Sequence, residues 1–121
     1  MAKQSKKPDI RLKRAYLPPS AGDGVRILVD RIWPRGLRKS EASIDRWVKD
    51  AAPSTELRRW FGHDPDRWDE FRRRYKEELA GEASLLNELR EIAKKGVLTL
   101  VYAARDSAHN QAVVLREVLT Q

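Results

Sequence analysis

The chain has 121 residues, with 25 Lys and Arg against 18 Asp and Glu, a formal net charge of +7 and 36% charged residues. That length builds one ordinary domain, able to bury about two thirds of its unfolded surface without a disulfide or a metal. The absence of cysteine excludes a disulfide framework, a thiolate nucleophile, an iron–sulfur cluster and a cysteine zinc site.

Residues 1–9 read as a flexible basic arm and residues 10–121 as a single α/β domain. Lys3, Lys6, Lys7, Arg11, Lys13 and Arg14 face Asp9 alone, so five of the seven excess charges belong to the first 14 residues. Such an arm is either a solvated tail or a sequence-independent contact to phosphate backbones at low salt. No apolar h-region follows it, and the longest apolar run, Val97 to Ala104 broken by Thr99, is far below the ~20 residues of a membrane span. A cytoplasmic protein with no membrane partner is expected.

Ile10 to Tyr16 alternates apolar and basic residues, the pattern of a strand with one wet face. Pro18 to Gly24 reads as a loop. Val25 to Asp30 is short, β-branched and apolar on both faces, as in an interior strand of a parallel sheet. Pro34 pushes Trp33 out of the α region, so Arg31 to Gly36 forms a loop at that strand's carboxyl end. Ser54 is placed to cap a helix bearing Leu57, Trp60 and Phe61 on one stripe, ended by Gly62.

Asp64 caps the next helix with Pro65 at its first position, and Trp68, Phe71, Tyr75 and Leu79 continue the apolar spacing. Its Arg72-Arg73-Arg74 run has Asp69, Glu70, Glu77 and Glu78 at helical spacing, which makes it a self-neutralised face. A third helix over Glu82 to Lys95 turns Leu85, Leu89 and Ile92 inward and stops at Gly96. Val97 to Ala103 is the second strong strand, and Asp106 or Ser107 can cap a last helix carrying Ala112, Leu115 and Leu119. Strands separated by helices give a small three-layer α/β sandwich with a mostly parallel, Rossmann-like sheet.

If the strands at 25–30 and 97–103 are parallel neighbours, the loops at their carboxyl ends converge where open α/β sheets bind ligands. The first loop offers Asp30, Arg31, Trp33, Arg35 and Lys39; the second offers Arg105, Asp106, His109 and Asn110 at a helix start. Guanidinium groups and helix-terminal N–H groups favour phosphate or carboxylate. His109 and Asp106 are the candidate catalytic pair, and Arg31, Trp33, Arg35, Arg105 and Asn110 the candidate ligand-binding residues. The competing reading pairs Arg31 and Arg35 with Asp30 and Asp106 and locks the loops. Two histidines, His63 and His109, without HxH or HExxH spacing make no metal site, and no nucleotide-loop glycine motif or GxSxG is present, so neither a metal nor a cofactor is expected. Trp47, Trp60 and Trp68 fit an aromatic core, whereas Trp33 can wall a pocket or stack on a base.

The runs Val29-Asp30-Arg31-Ile32-Trp33-Pro34-Arg35-Gly36, Ala52 to Pro65, Trp68 with Phe71 and Tyr75, and Tyr102-Ala103-Ala104-Arg105-Asp106 with His109-Asn110 closely resemble the YeaO-like family of small bacterial proteins, domain of unknown function 488. The resemblance covers residues 10 to 120 and implies a compact α/β domain with no established activity. Other branches of that family carry a cysteine after the last strand. Here that region reads Tyr102-Ala103-Ala104, so no thiol mechanism transfers. The reading that follows is a small-anion pocket, with His109 transferring a proton and arginines stabilising charge if chemistry occurs. The alternatives are a nucleic-acid-associated protein using the arm and Trp33, with weak non-specific binding, and a structural or partner-binding module.

Overall fold

In the computed structural model, which describes residues 8–121, Ile10–Arg14 form strand β1, Val25–Leu28 β2, Arg46–Trp47 β3 and Leu98–Tyr102 β4. All pair in parallel in the order β1-β4-β2-β3. The expectation of a mostly parallel sheet therefore holds, and β2 and β4 are neighbours in register from Val25 opposite Leu98 to Leu28 opposite Val101. All five residues of β4 are buried, as expected for a strand covered on both faces. Of the arm expected over residues 1–9, residues 1–7 lie outside the described residues, while the Asp9 carbonyl already accepts from Leu98 N–H at 3.0 Å.

Among the described residues there are five α-helices: α1 Lys39–Ala42, α2 Thr55–Phe61, α3 Trp68–Ala80, α4 Ala83–Lys95 and α5 Gln111–Leu119. Alternation along the strands divides the core. Ile27, Leu98, Leu100 and Tyr102 face the large cluster formed with α2 to α5. Leu28 and Val101 point the other way, onto Ala15, Trp33, Leu37, Ile44 and Trp47. The result is an α/β sandwich with one thick helical layer and one thin layer of loop and α1.

Ser54 caps α2, its hydroxyl accepting from Leu57 N–H at 3.1 Å, and Gly62 ends it at φ +54. Asp64 and Pro65 open a short 3-10 turn over Pro65–Arg67 that runs into α3. Two details differ from the sequence reading. In α4 the fully buried face is Leu86, Leu89 and Ala93, with Leu85 and Ile92 only partly buried beside it. The cap of α5 is Asn110, neither Asp106 nor Ser107; its side-chain oxygen accepts from Ala112 and Val113 N–H at 2.9 and 3.2 Å. Asp106 instead closes the preceding turn, accepting from Ala108 and His109 N–H at 2.8 and 2.9 Å.

Gly24, at φ +62, has its α-carbon against the next strand: a Cβ there would lie 2.2 Å from the Val97 carbonyl oxygen. Only glycine allows Val25 N–H to reach that oxygen at 3.0 Å and start the β2–β4 ladder. The basic run on α3 is neutralised as expected at Arg73 and Arg74, both paired with Glu70, while Arg72 reaches across to Glu117 on α5.

After β2 the chain passes to α1 on the thin side, and after β4 it passes to α5 on the thick side. Two adjacent parallel strands whose continuations leave toward opposite faces open a crevice at their carboxyl ends.

Candidate functional site

The crevice is a cavity of about 690 Å³, bounded by the loop after β2, the loop after β4, the end of α2 and one residue of α3. That volume falls in the range of small-molecule sites. The seven candidate catalytic and ligand-binding residues all line it, Arg31, Trp33 and Arg35 from the first loop and Arg105, Asp106, His109 and Asn110 from the second, as does Asp30, whereas Lys39, which the first loop also offered, does not. They differ in how much of their bonding capacity is already used.

Arg31 is committed to the scaffold. Its Nε and Nη2 donate to the carbonyls of Pro53 and Ala52 at 2.9 and 3.1 Å, while the buried Tyr75 hydroxyl donates to the Ala51 carbonyl one residue earlier. Segment 51–53 is thereby fixed from both sides. Trp33 donates its indole N–H to the Leu37 carbonyl at 2.7 Å and stands edge-on to Trp47, ring centroids 5.4 Å apart; Lys39 lies over its ring. Asn110 is 2% exposed, and its amide also donates to the Asp106 carbonyl at 2.8 Å, so both ends of that side chain serve the cap. Neither Arg31 nor Arg35 pairs with Asp30 or Asp106, so the loops are not locked by the ion pairs of the competing reading.

Asp106 and His109 form a hydrogen-bonded pair, Nδ1 to Oδ2 at 2.9 Å. The Ala108 N–H, the His109 ring and the His109 N–H together hold the Asp106 carboxyl below its ordinary range. The imidazole is fixed further by Trp68, edge-on at 5.2 Å, which leaves Nε2 without a protein partner among the described residues. A carboxylate bonded to one ring nitrogen of histidine sets its orientation and favours the proton on that nitrogen.

Asp30 sits at the junction of the two strands. Its Oδ2 accepts from Ala103 N–H at 3.2 Å, its Oδ1 accepts from the Gln111 amide, and its backbone carbonyl accepts from the Trp47 indole at 2.7 Å. No cation pairs with it among the described residues. Burial pushes its carboxyl up to about 6 against the opposing effect of those two donors and of the more distant Arg58 charge.

Sequence reasoning did not select Arg58, Arg59, Phe61, Phe71 or Gln111 for this site, yet all line the cavity. The guanidinium groups of Arg35, Arg58, Arg59 and Arg105 have no carboxylate or carbonyl partner among the described residues; of the other arginines only Arg38 and Arg116 share that condition. His63 also lines the cavity, in the left-handed region at φ 57 directly after Gly62. Such a backbone is uncommon for a residue other than glycine. Among the described residues no group of three or more His, Asp and Glu side chains is placed to hold a metal ion, and no helix is long and apolar enough to cross a membrane.

Comparison with known proteins places these residues in a lineage. A family model described as the inactive DUF488-N3 subclade matches residues 9–121. The uncharacterized protein Rv3073c of Mycobacterium tuberculosis is 47% identical over 110 residues, 91% of this chain and 92% of its own. The uncharacterized protein YeaO of Escherichia coli is 44% identical over 111 residues, 92% of this chain and 96% of its own. No solved structure matches. With that coverage from end to end, the chain belongs to the YeaO-like DUF488 family.

Proposed function

We propose that the cavity is a binding site for a small anionic ligand carrying a phosphate or carboxylate group. The observation that carries this reading is the set of four guanidinium groups, Arg35, Arg58, Arg59 and Arg105, that border one cavity without a protein partner among the described residues. Elsewhere on the same surface arginines find carboxylates, as Arg72, Arg73 and Arg74 do. Charge-assisted hydrogen bonds from such groups are worth about 1.5–3 kcal/mol each when an anion is desolvated against them.

Binding without turnover fits best. The subclade that matches is described as inactive, and the chain has no cysteine to serve as a thiolate nucleophile. In this role the Asp106–His109 pair holds an N–H or a lone pair of the imidazole toward the ligand, and Arg31 keeps the wall at 51–53 in place.

The test is a thermal-shift and calorimetric titration of the full chain with inorganic phosphate. A rise in melting temperature that saturates at millimolar phosphate and shrinks in Arg35→Ala is the expected result. A melting temperature indifferent to phosphate, in a chain that stays folded, overturns the reading.

A further inference from the structure

The arginine border accounts for an anion in the cavity and leaves another part of its lining unexplained. There the Asp30 carboxylate carries two neutral donors, Ala103 N–H and the Gln111 amide, one on each oxygen. A carboxylate has about four acceptor positions, so each oxygen keeps one free, and no cation takes it among the described residues. An inorganic anion filling this space would be repelled by Asp30. A ligand suited to the whole cavity must therefore be divided: anionic against the arginines, and presenting N–H donors to Asp30.

Apolar side chains make up part of the cavity wall: Ala52, Pro53, Phe61 and Phe71, with Ile32 and Pro34 from the loop after β2. Donors on a flexible aliphatic amine would leave this wall uncovered, and an amino acid would occupy a small part of 690 Å³. A planar heterocycle with N–H groups on its edge meets both demands, because its faces pack on apolar and aromatic side chains while its edge reaches the carboxylate.

The two free oxygen positions of Asp30 ask for two adjacent donors. Guanine offers them as N1–H and the exocyclic N2–H, a bidentate match to one carboxylate. Adenine presents a ring acceptor beside its amine, and uracil a single N–H between two carbonyls; each sets a lone pair against Asp30. We infer that the cavity takes a guanine nucleoside monophosphate, with the base edge on Asp30 and the phosphate on Arg35, Arg58, Arg59 and Arg105. This rests on the anion-site reading and adds the class of ligand.

A site built to hydrogen-bond a polar group discriminates strongly against an analogue that lacks it, because its own buried groups are then left unpaired. Calorimetric titration of the full chain with inorganic phosphate, guanosine, GMP, IMP and AMP tests the inference. GMP is expected to bind at least tenfold more tightly than phosphate, guanosine or AMP, with IMP, which lacks the N2 amine, between GMP and AMP. Asp30→Asn should abolish the preference for GMP over AMP and keep phosphate binding.

Equal affinity for GMP and AMP, or GMP no tighter than phosphate, overturns the guanine inference while the anion site stands. Failure of phosphate and every nucleotide to bind overturns both. The base comparison on the unaltered chain decides the matter even where Asp30→Asn does not fold.

Discussion

The two aspartates that flank β2 have opposite surroundings. Asp23, just before the strand, is buried and saturated: Lys13 and Arg26 pair with it at 3.0 and 2.7 Å, and the Ser20 N–H and hydroxyl both donate to it at 3.0 Å. Arg26, 3% exposed, gives its remaining N–H groups to the carbonyls of Ala42 and Ser43. Asp30, just after the strand, has two neutral donors and no ion pair, and it faces a cavity edged by unpartnered arginines. The amino edge of the sheet thus closes its charges on one another to hold β1, β2 and α1 together, while the carboxyl edge keeps charges of both signs apart around open space. Leaving them apart costs stability, and that cost is what marks a site.

The largest effect is expected at the saturated end. Asp23→Ala leaves Arg26 buried and uncompensated, and breaking a buried pair in this way costs about 3–5 kcal/mol. Equilibrium unfolding in denaturant measures it; a loss below about 1 kcal/mol would mean the cluster is dispensable. Burial alone would raise the Asp23 carboxyl, but the donors from Ser20, Lys13 and Arg26 outweigh it and hold the group far below its ordinary value. Its contribution is therefore present above the unfolded value near 4 and is lost as pH falls toward the folded one.

At the other end the sign reverses. Asp30 titrates near 6 in the folded chain against about 4 when unfolded, so the native state holds the proton more tightly. Its contribution is full below pH 4 and is lost as pH rises to 6, a change of about 2–3 kcal/mol. The readout is the difference in unfolding free energy between the unaltered chain and Asp30→Asn across pH 4–6, with the unaltered chain losing ground as pH rises. The slope matters rather than the offset, because asparagine forfeits one of the two accepted hydrogen bonds at every pH. A flat difference removes the contrast between the two aspartates.

How much of this was legible in the sequence depends on whether a signal was local. Strands β2 and β4 announce themselves as apolar runs, and Ser54, Gly62 and Asp64-Pro65 mark helix ends by their own backbone chemistry. The four-residue α1 and two-residue β3 carry no period long enough to read. The cap of α5 is not legible locally because Asp106, Ser107 and Asn110 are all good capping residues, and only the closed turn made by Asp106 and His109 moves the helix start to Gln111. The same limit applies to the site. Its two loops follow from strand ends and polar composition, but Arg58, Arg59, Phe61 and Phe71 arrive from α2 and α3, and nothing in their local pattern separates them from solvated or core residues.

A smaller effect separates scaffold from ligand contact within the second loop. Asn110→Ala removes the α5 cap and the bond to the Asp106 carbonyl, with an expected cost of about 1–2 kcal/mol. Phosphate should still raise the melting temperature of this variant, since its side chain is spent on the backbone. A variant that keeps full stability and loses the phosphate response would transfer Asn110 from the cap to the ligand.

The smallest effect on stability is the most informative about function. Arg105 and Arg73 are both exposed arginines, one without a partner among the described residues beside the cavity and one held between Glu70 and Glu77 on α3. Exposed pairs contribute little to stability, so Arg73→Ala and Arg105→Ala should both melt within error of the unaltered chain. Their responses to phosphate should differ: Arg73→Ala keeps the full shift and Arg105→Ala loses much of it, because a cation without a protein partner at the cavity is free to bond a bound anion directly. If the shift survives both changes equally, the unpaired arginines at the carboxyl edge are solvated surface like any other, and the distinction between the two ends of β2 concerns folding alone.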